Sequence, residues 1–210
     1  DIGGGKVRAL KEINLSIEKG EFLAIMGQSG SGKSTLLNII GCLDRPTAGT
    51  YELNGESIET KGDRELASLR SKRIGFVFQT FNLVPKLTVF QNVELPMIYA
   101  RVPPAERQQR AMAALKSVGL EDKVDRTPDQ LSGGEAQRAA IARALVNNPD
   151  IILADEPTGN LDSETGKEII GILGSLNRQG RTIVLVTHNS EIASFAGRKV
   201  QLRDGAVEEA

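Results

Sequence analysis

Gly27-Gln28-Ser29-Gly30-Ser31-Gly32-Lys33-Ser34 decides the reading of this chain, because it fits the phosphate-binding pattern G-x-x-x-x-G-K-[ST]. The flanks are those the pattern needs. Before it, Phe22 to Met26 is a continuous apolar run, as in a strand buried on both faces. After it, Ser34 to Cys42 predicts a helix. Glycines let backbone N–H groups turn inward around phosphate oxygens, and a helix amino terminus adds favourable partial charge. Lys33 is placed to reach the outer phosphates, the Ser34 hydroxyl to bind a divalent cation, and Thr35 to line the helix start. A chance glycine-rich turn would carry neither the strand nor the helix.

Outward from this loop the chain alternates strand and helix signals. Ile13, Leu15 and Ile17 alternate with Asn14, Ser16 and Glu18, the period of a half-buried strand. Asn54-Gly55 after Thr50-Tyr51-Glu52-Leu53 reads as a hairpin turn, so the amino-terminal part is expected to hold antiparallel strands. Ile74 to Phe78 predicts a strand ending at Gln79. From about Thr80 to Val146 the pattern turns helical. Thr88 and Gln91 form a capping box, Pro103-Pro104 open a helix towards Val118, and Ser132 and Glu135 form a second capping box before a helix ending near Val146. Strand signals return at Ile151–Ala154, Thr182–Val186 and Lys199–Leu202, with a helix over Ser163–Arg178. The expectation is one α/β domain over residues 1–210, a parallel sheet with a helical lobe inserted at about 80–146.

Bulk properties narrow the function classes. The chain has 210 residues, 40% hydrophobic and 25% charged, an ordinary globular balance. A formal net charge of −1 supplies no global basic field for nucleic acid. The single cysteine, Cys42, sits in an apolar run and reads as a buried, inert thiol. No apolar stretch approaches the ~18 residues of a membrane helix, so a membrane role is expected to be peripheral.

Ile151-Ile152-Leu153-Ala154-Asp155-Glu156 is a buried strand ending in two carboxylates. Beside a phosphate loop, one acid can hold a cation and its neighbour can orient a water, which makes Asp155 the metal-side candidate and Glu156 the base. Alone, such a strand end would be a solvated loop. Leu131-Ser132-Gly133-Gly134-Glu135-Ala136-Gln137-Arg138 offers a second anion site, a serine hydroxyl and unhindered glycine amides at a helix start. It is equally an ordinary capped helix.

With Leu131-Ser132-Gly133-Gly134 the chain resembles the ABC ATPase family, whose signature begins with those residue types before a helix. The resemblance covers nearly the whole chain. Gln79 corresponds to the family's Q-loop glutamine, Gly159-Asn160-Leu161-Asp162 to its D-loop and His188 to its switch histidine. Gly41-Cys42-Leu43-Asp44, Phe78-Gln79 and Thr187-His188 look like the macrolide-efflux and lipoprotein-release subgroup. The implied fold is the ABC ATPase fold, a P-loop NTPase parallel sheet core with an amino-terminal antiparallel β subdomain and an inserted helical subdomain.

That resemblance implies an ATP-hydrolysing motor for a separate membrane permease, peripheral on the cytoplasmic face of the inner membrane, with Mg²⁺ as cofactor. Lys33, Ser34, Asp155, Glu156, Gln79 and His188 would hold ATP–Mg²⁺ from one subunit, with Ser34, Asp155 and Gln79 on the metal. Ser132, Gly133, Gly134 and Glu135 would close on it from a second copy, with Asp162 near the boundary of an ATP-dependent homodimer. The permease is expected to dock through Thr80-Phe81-Asn82-Leu83-Val84-Pro85, just after Gln79. Two positions depart from the family. Glu135 stands where glutamine is commoner, and its charge is harmless if it turns back to cap its own helix. Lys6-Val7-Arg8-Ala9-Leu10 has no aromatic for the adenine, so Arg8 either stacks on the base through its guanidinium or is simply solvated. A motor regulating a membrane-linked cell-wall or division process carries the same motifs and stands as the alternative.

Overall fold

The computed structural model describes residues 8–209. The apolar run Phe22–Met26 forms β1, and its place in the sheet explains its burial. It lies between β6 (Thr182–Val186) and β7 (Arg198–Arg203), parallel to both. β5 (Ile151–Asp155) pairs with β6, and β4 (Ile74–Phe78) with β5, again in parallel. β8 (Ala206–Glu209) runs antiparallel to β7, giving the order β4-β5-β6-β1-β7-β8. The Asp204-Gly205 turn that joins β7 to β8 has positive φ at both residues, 48° and 82°, which suits a two-residue hairpin.

Alternate residues of these strands face two layers, as the pleat requires. Leu23, Ile25, Leu153, Val184 and Val186 pack with α1 (Lys33–Ile40) and α2 (Asp63–Arg73). Ala24, Ile152, Ala154, Ile183 and Leu185 pack against α5 (Gly133–Leu145), α6 (Ser163–Arg178) and α7 (Ser190–Ala193). The second layer continues without a break into α3 (Val89–Tyr99) and α4 (Pro104–Ser117) through Val93, Met97, Ala111 and Leu115. The helical segment therefore shares its core with the sheet. In α6, Ile169, Ile170 and Leu173 are fully buried. Each such side chain contributes about 1.5–3 kcal/mol, against about 1 kcal/mol for a helix cap, so packing holds α6 and the cap only sets where it begins.

The amino-terminal expectation needs correcting in one particular. Leu10, Ile13, Leu15 and Ile17 are half-buried against the α1 layer while the residues between them are exposed, so the alternation is real. No ladder forms over Ile13–Ile17 among the described residues. Side-chain pattern and backbone pairing are separate requirements, and here only the first is met. The antiparallel pairing at this end is the short hairpin of β2 (Glu52–Leu53) and β3 (Glu56–Ser57) around Asn54-Gly55. The first helix also stops earlier than expected. Cys42 lies beyond it with φ 53°, buried, and burial raises its thiol pKa.

Candidate active site

Four parallel strands deliver the predicted residues to one edge of the sheet. Phe78 is in register with Asp155, Asp155 with Val186, and Ile25 with Val186. The residues that follow, Gln79, Glu156, Thr187-His188 and Met26-Gly27, therefore stand side by side at the carboxyl ends. Neighbouring strands are ~4.8 Å apart, so the whole row spans roughly 15 Å, the scale of a nucleotide.

The loop Gly27–Ser34 is closed on itself. Gly32 has φ 103° and caps α1 without any side chain, which leaves the helix's first N–H groups open. A Cβ there would lie 2.7 Å from the Ala9 carbonyl oxygen, so only glycine fits. The Lys33 Nζ donates to the carbonyl oxygens of Gly27 and Gln28, each at 2.8 Å, which seats the ammonium within the loop's curl. Gln28, Ser29, Gly30 and Ser34 are exposed, Thr35 is half-buried, and the buried Ser31 Oγ has no hydrogen-bond partner.

At the end of β5, Asp155 is half-buried and its pKa is raised, first by desolvation and then by the neighbouring Glu156 charge, with Lys33 opposing. Glu156 leaves the strand in a left-handed conformation, φ 44°, costing about 1 kcal/mol or more. The compensation is visible. Its N–H donates to Val186 O at 2.9 Å, the Thr187 hydroxyl donates to Oε2 at 3.2 Å, and the His188 N–H donates to Oε1 at 3.0 Å. His188 Nδ1 lies 2.6 Å from the same Oε1. The imidazole is 72% exposed and the carboxylate only 16%, so the ring is the more solvent-accessible member of the pair.

Gln79 is exposed and tied to the segment after Glu156. Its Nε2 donates to Asn160 Oδ1 at 3.2 Å, and Asn160 Nδ2 returns a bond to its carbonyl at 3.1 Å. Asp162 caps α6, accepting from the Glu164 and Thr165 N–H groups at 3.1 and 3.0 Å and from the Thr165 hydroxyl at 2.6 Å. These bonds hold its pKa below the usual carboxylate range.

The signature segment stands apart from this edge. Ser132 and Gly133 are exposed, and no hydrogen bond joins them to the Gly27–Ser34 loop. Ser132 Oγ accepts from Glu135 N at 3.3 Å, and Glu135 Oε2 accepts from Ser132 N at 2.8 Å. The charge of Glu135 does turn back onto its own helix. That backbone N–H, with Lys123 at 3.4 Å, lowers its pKa. Gly134 is where α5 meets α6, since a Cβ would come within 2.5 Å of Thr165 Cγ2. Arg8 is exposed and borders a cavity shared with Thr35 and Ile39, while Lys6 and Val7 lie outside the described residues.

Three positioning residues escaped the sequence reading. Gln137, fully buried, donates through Nε2 to Phe78 O at 3.2 Å and Pro157 O at 2.7 Å, linking α5 to the residues beside Gln79 and Glu156. Arg143 donates to the carbonyls of Phe81 (2.8 Å) and Asn82, whose φ values are 60° and 51°. Asn92, also fully buried, holds the loop before α3 through Val84, Leu87 and Thr88. A polar residue on a helix's buried face interrupts the apolar stripe, which was the signal available.

The family model for ABC transporters matches residues 10–159. The chain is 57% identical to an uncharacterized ABC transporter ATP-binding protein of Bacillus subtilis, YvrO, over 97% of this chain and 89% of that protein. It is 53% identical to the macrolide export ATP-binding/permease protein MacB of Brucella melitensis, over 96% of this chain but 31% of that protein. Among solved structures it resembles the dimeric, ADP- and Pi-bound post-hydrolysis state of the cassette MJ0796. The TM-score is 0.90 and the identity 49%, covering 100% of this chain and 94% of that one.

Proposed function

The chain belongs to the ABC transporter family, and from that premise we propose that each of its working sites is assembled from two copies. It is an ATP-binding, ATP-hydrolysing motor subunit of an ABC transporter. The cis half is the row of strand ends, and the observation that carries the reading is the Glu156 carboxylate held between Thr187 and His188 beside the phosphate loop. Lys33 exchanges the Gly27 and Gln28 carbonyls for the outer phosphates. Glu156, fixed by three donors, orients the attacking water and takes its proton, while His188 Nε2 faces the γ-phosphate. Ser132 and the Gly133 and Gly134 amides of the second copy, exposed or at a helix start, cap that phosphate from the other side.

The donor set suits Mg²⁺. Among the described residues no group of three or more His, Cys, Asp or Glu side chains is placed to hold a metal ion by itself. Ser34, Asp155 and Gln79 instead offer a few hard oxygens that phosphates and water would complete. The ion would neutralise charge on the phosphates. A cation beside Asp155 would also offset the burial and the Glu156 charge that raise its pKa.

No helix among the described residues is long and apolar enough to cross a membrane. We place the chain peripherally on the cytoplasmic face of the inner membrane, driving a permease of the export type through the segment after Gln79. Phe81 and Leu83 are half-buried there and Val84 is exposed. Arg8 is assigned no base contact beyond its exposure near Thr35.

The test is Glu156→Gln. It preserves size and hydrogen bonding but removes the base, so ATP binds while turnover falls by ~10² or more. Gel filtration then shows a dimer with ATP and a monomer without it. Near-wild-type hydrolysis in this variant removes Glu156 from the role.

A further inference from the structure

The tip of a hairpin ordinarily faces solvent, yet the glycine of the β7–β8 turn is buried while Asp204 beside it is exposed. Gly205 is buried because two other parts of the chain close on it. Its N–H donates to the Ser31 carbonyl of the phosphate loop at 3.1 Å, and its own carbonyl accepts from Lys11 N at 2.7 Å. The fit leaves no room for a side chain. A Cβ on Gly205 would lie 2.6 Å from the Ala9 carbonyl oxygen, the same oxygen that excludes a Cβ from Gly32. At Gly27 a Cβ would meet the Leu202 carbonyl oxygen of β7 at 2.3 Å. The phosphate loop, residues 9–11 and the end of β7 are therefore packed backbone against backbone. Among the described residues no hydrogen bond joins 8–11 directly to Gly27–Ser34, so the hairpin tip is what bridges them.

The consequence lies in the peptide that joins Ser31 to Gly32. Among the described residues the bond from Gly205 is the only one that the Ser31 carbonyl accepts. A trans peptide sets its carbonyl and its N–H on opposite sides. Fixing the Ser31 oxygen on the hairpin thus directs the Gly32 N–H away from it. That N–H has no acceptor among the described residues, and it stands directly ahead of the open N–H groups at the start of α1. Successive backbone N–H groups aimed one way gather phosphate oxygens. A group oriented in advance loses less freedom when the ligand arrives.

Resting on the reading of Gly27–Ser34 as the phosphate site, we propose that Gly205 is a positioning residue for nucleotide binding. The β7–β8 hairpin orients the Gly32 N–H for the phosphates that ATP and ADP share, and it acts on affinity rather than on the hydrolytic step. Glu156, Thr187 and His188 stand at the ends of β5 and β6 and have no hydrogen bond to the hairpin.

The test removes that one N–H. Glycolic acid in place of Gly205, introduced by nonsense suppression in a cell-free system, puts an ester where the amide stood and adds no bulk to the turn. The dissociation constants of ATP and ADP both rise about fivefold, in the same proportion, while kcat at saturating ATP stays within about twofold of wild type. Gly205→Ala, whose Cβ drives the hairpin off Ala9, raises both constants about tenfold or more. Unchanged affinities in the ester chain overturn the proposal even if its melting temperature drops, since a hairpin that serves only the fold moves stability alone. A loss confined to ATP overturns it too, because only the γ-phosphate then feels the change. So does a fall in kcat as large as the loss of affinity. Lys33→Ala, titrated alongside, separates the proposal from its premise. Weak binding by Lys33→Ala with wild-type binding by the ester leaves the phosphate site standing and removes the role of Gly205. Wild-type binding by Lys33→Ala removes the phosphate-site reading itself.

Discussion

In the proposed mechanism the nucleotide edge and the start of α5 both receive anions, yet they are built in opposite ways. The edge is assembled by long-range pairing, with Gln79, Glu156, His188 and Gly27 arriving on four different strands. Its groups are left wanting: Lys33 is on its own loop's carbonyls, Asp155 has a raised pKa, and Ser31 Oγ has no partner. The start of α5 is assembled from four consecutive residues, and it is satisfied without a ligand because Ser132 and Glu135 exchange hydrogen bonds. On that mechanism binding completes the first region, whereas the second has its capping bonds already made. A preformed, exposed and self-satisfied anion site is what a surface presented to another copy requires, since it exacts no cost in the monomer.

The sharpest way to break this contrast is Ser132→Arg. The change removes the cap and places a bulky cation where the second copy's γ-phosphate must arrive. Steady-state hydrolysis falls by about 10² or more, while ATP affinity of the isolated monomer stays near wild type because the cis edge is untouched. Mixed with Lys33→Ala, the two chains give more activity than the average of the separate preparations, because one of the two composite sites carries neither lesion. Hydrolysis that is independent of protein concentration and insensitive to Ser132→Arg would sink the shared-site mechanism.

Gln137 joins the two regions and sets the next largest effect. Gln137→Met keeps the volume but removes the side-chain donor from the Pro157 carbonyl and leaves the Phe78 carbonyl with only the Phe81 N–H, a loss of about 1–3 kcal/mol. A merely structural role lowers the melting temperature and leaves turnover intact at a temperature where the variant is folded. The linking role lowers kcat severalfold with little change in KM for ATP, since α5 then moves relative to the strand ends. Gln137→Glu retains the length and an acceptor, loses the amide donor, and fails to rescue.

The same contrast explains what the sequence disclosed. Local devices were legible: both capping boxes, the Asn54-Gly55 hairpin and the bounds of α6 at Ser163 and Arg178 agree with the structure. The phosphate loop and the paired acids were legible because their chemistry demands fixed residue types. α2 was not read, because Asp63–Arg73 buries only Leu66 and Leu69 among mostly charged and polar residues and starts at Gly62, where Glu65 supplies the returning bond at 2.8 Å. The left-handed turn at Phe81-Asn82 was invisible too. Nothing local favours it in Phe81, and it is held from α5, 62 residues away in the chain, by Arg143. Long-range polar clamps leave no periodic trace.

Glu135→Gln tests the contrast at its finest scale, because it keeps the cap and removes only its charge. The glutamine carbonyl can still accept from Ser132 N, but the favourable charge at the helix amino terminus and the Lys123 contact go, a loss of about 0.3–1 kcal/mol. The pH dependence follows from the direction of the shift. The folded-state pKa of Glu135 is lowered, so its contribution is fully present above the ordinary carboxylate range and is lost as pH falls through the depressed value. The melting temperature of wild type therefore exceeds that of the variant by about 1–3 °C at neutral pH, and the gap closes in strong acid. ATP-driven dimerisation moves the other way. The carboxylate is turned onto its own helix, but its removal still takes one negative charge from the neighbourhood of the second copy's nucleotide, so closure tightens modestly, by about twofold or less at physiological salt. Sedimentation at matched ATP concentrations reads that term separately from stability. A variant that dimerises less well would show that the Glu135 charge serves the partner site rather than its own helix.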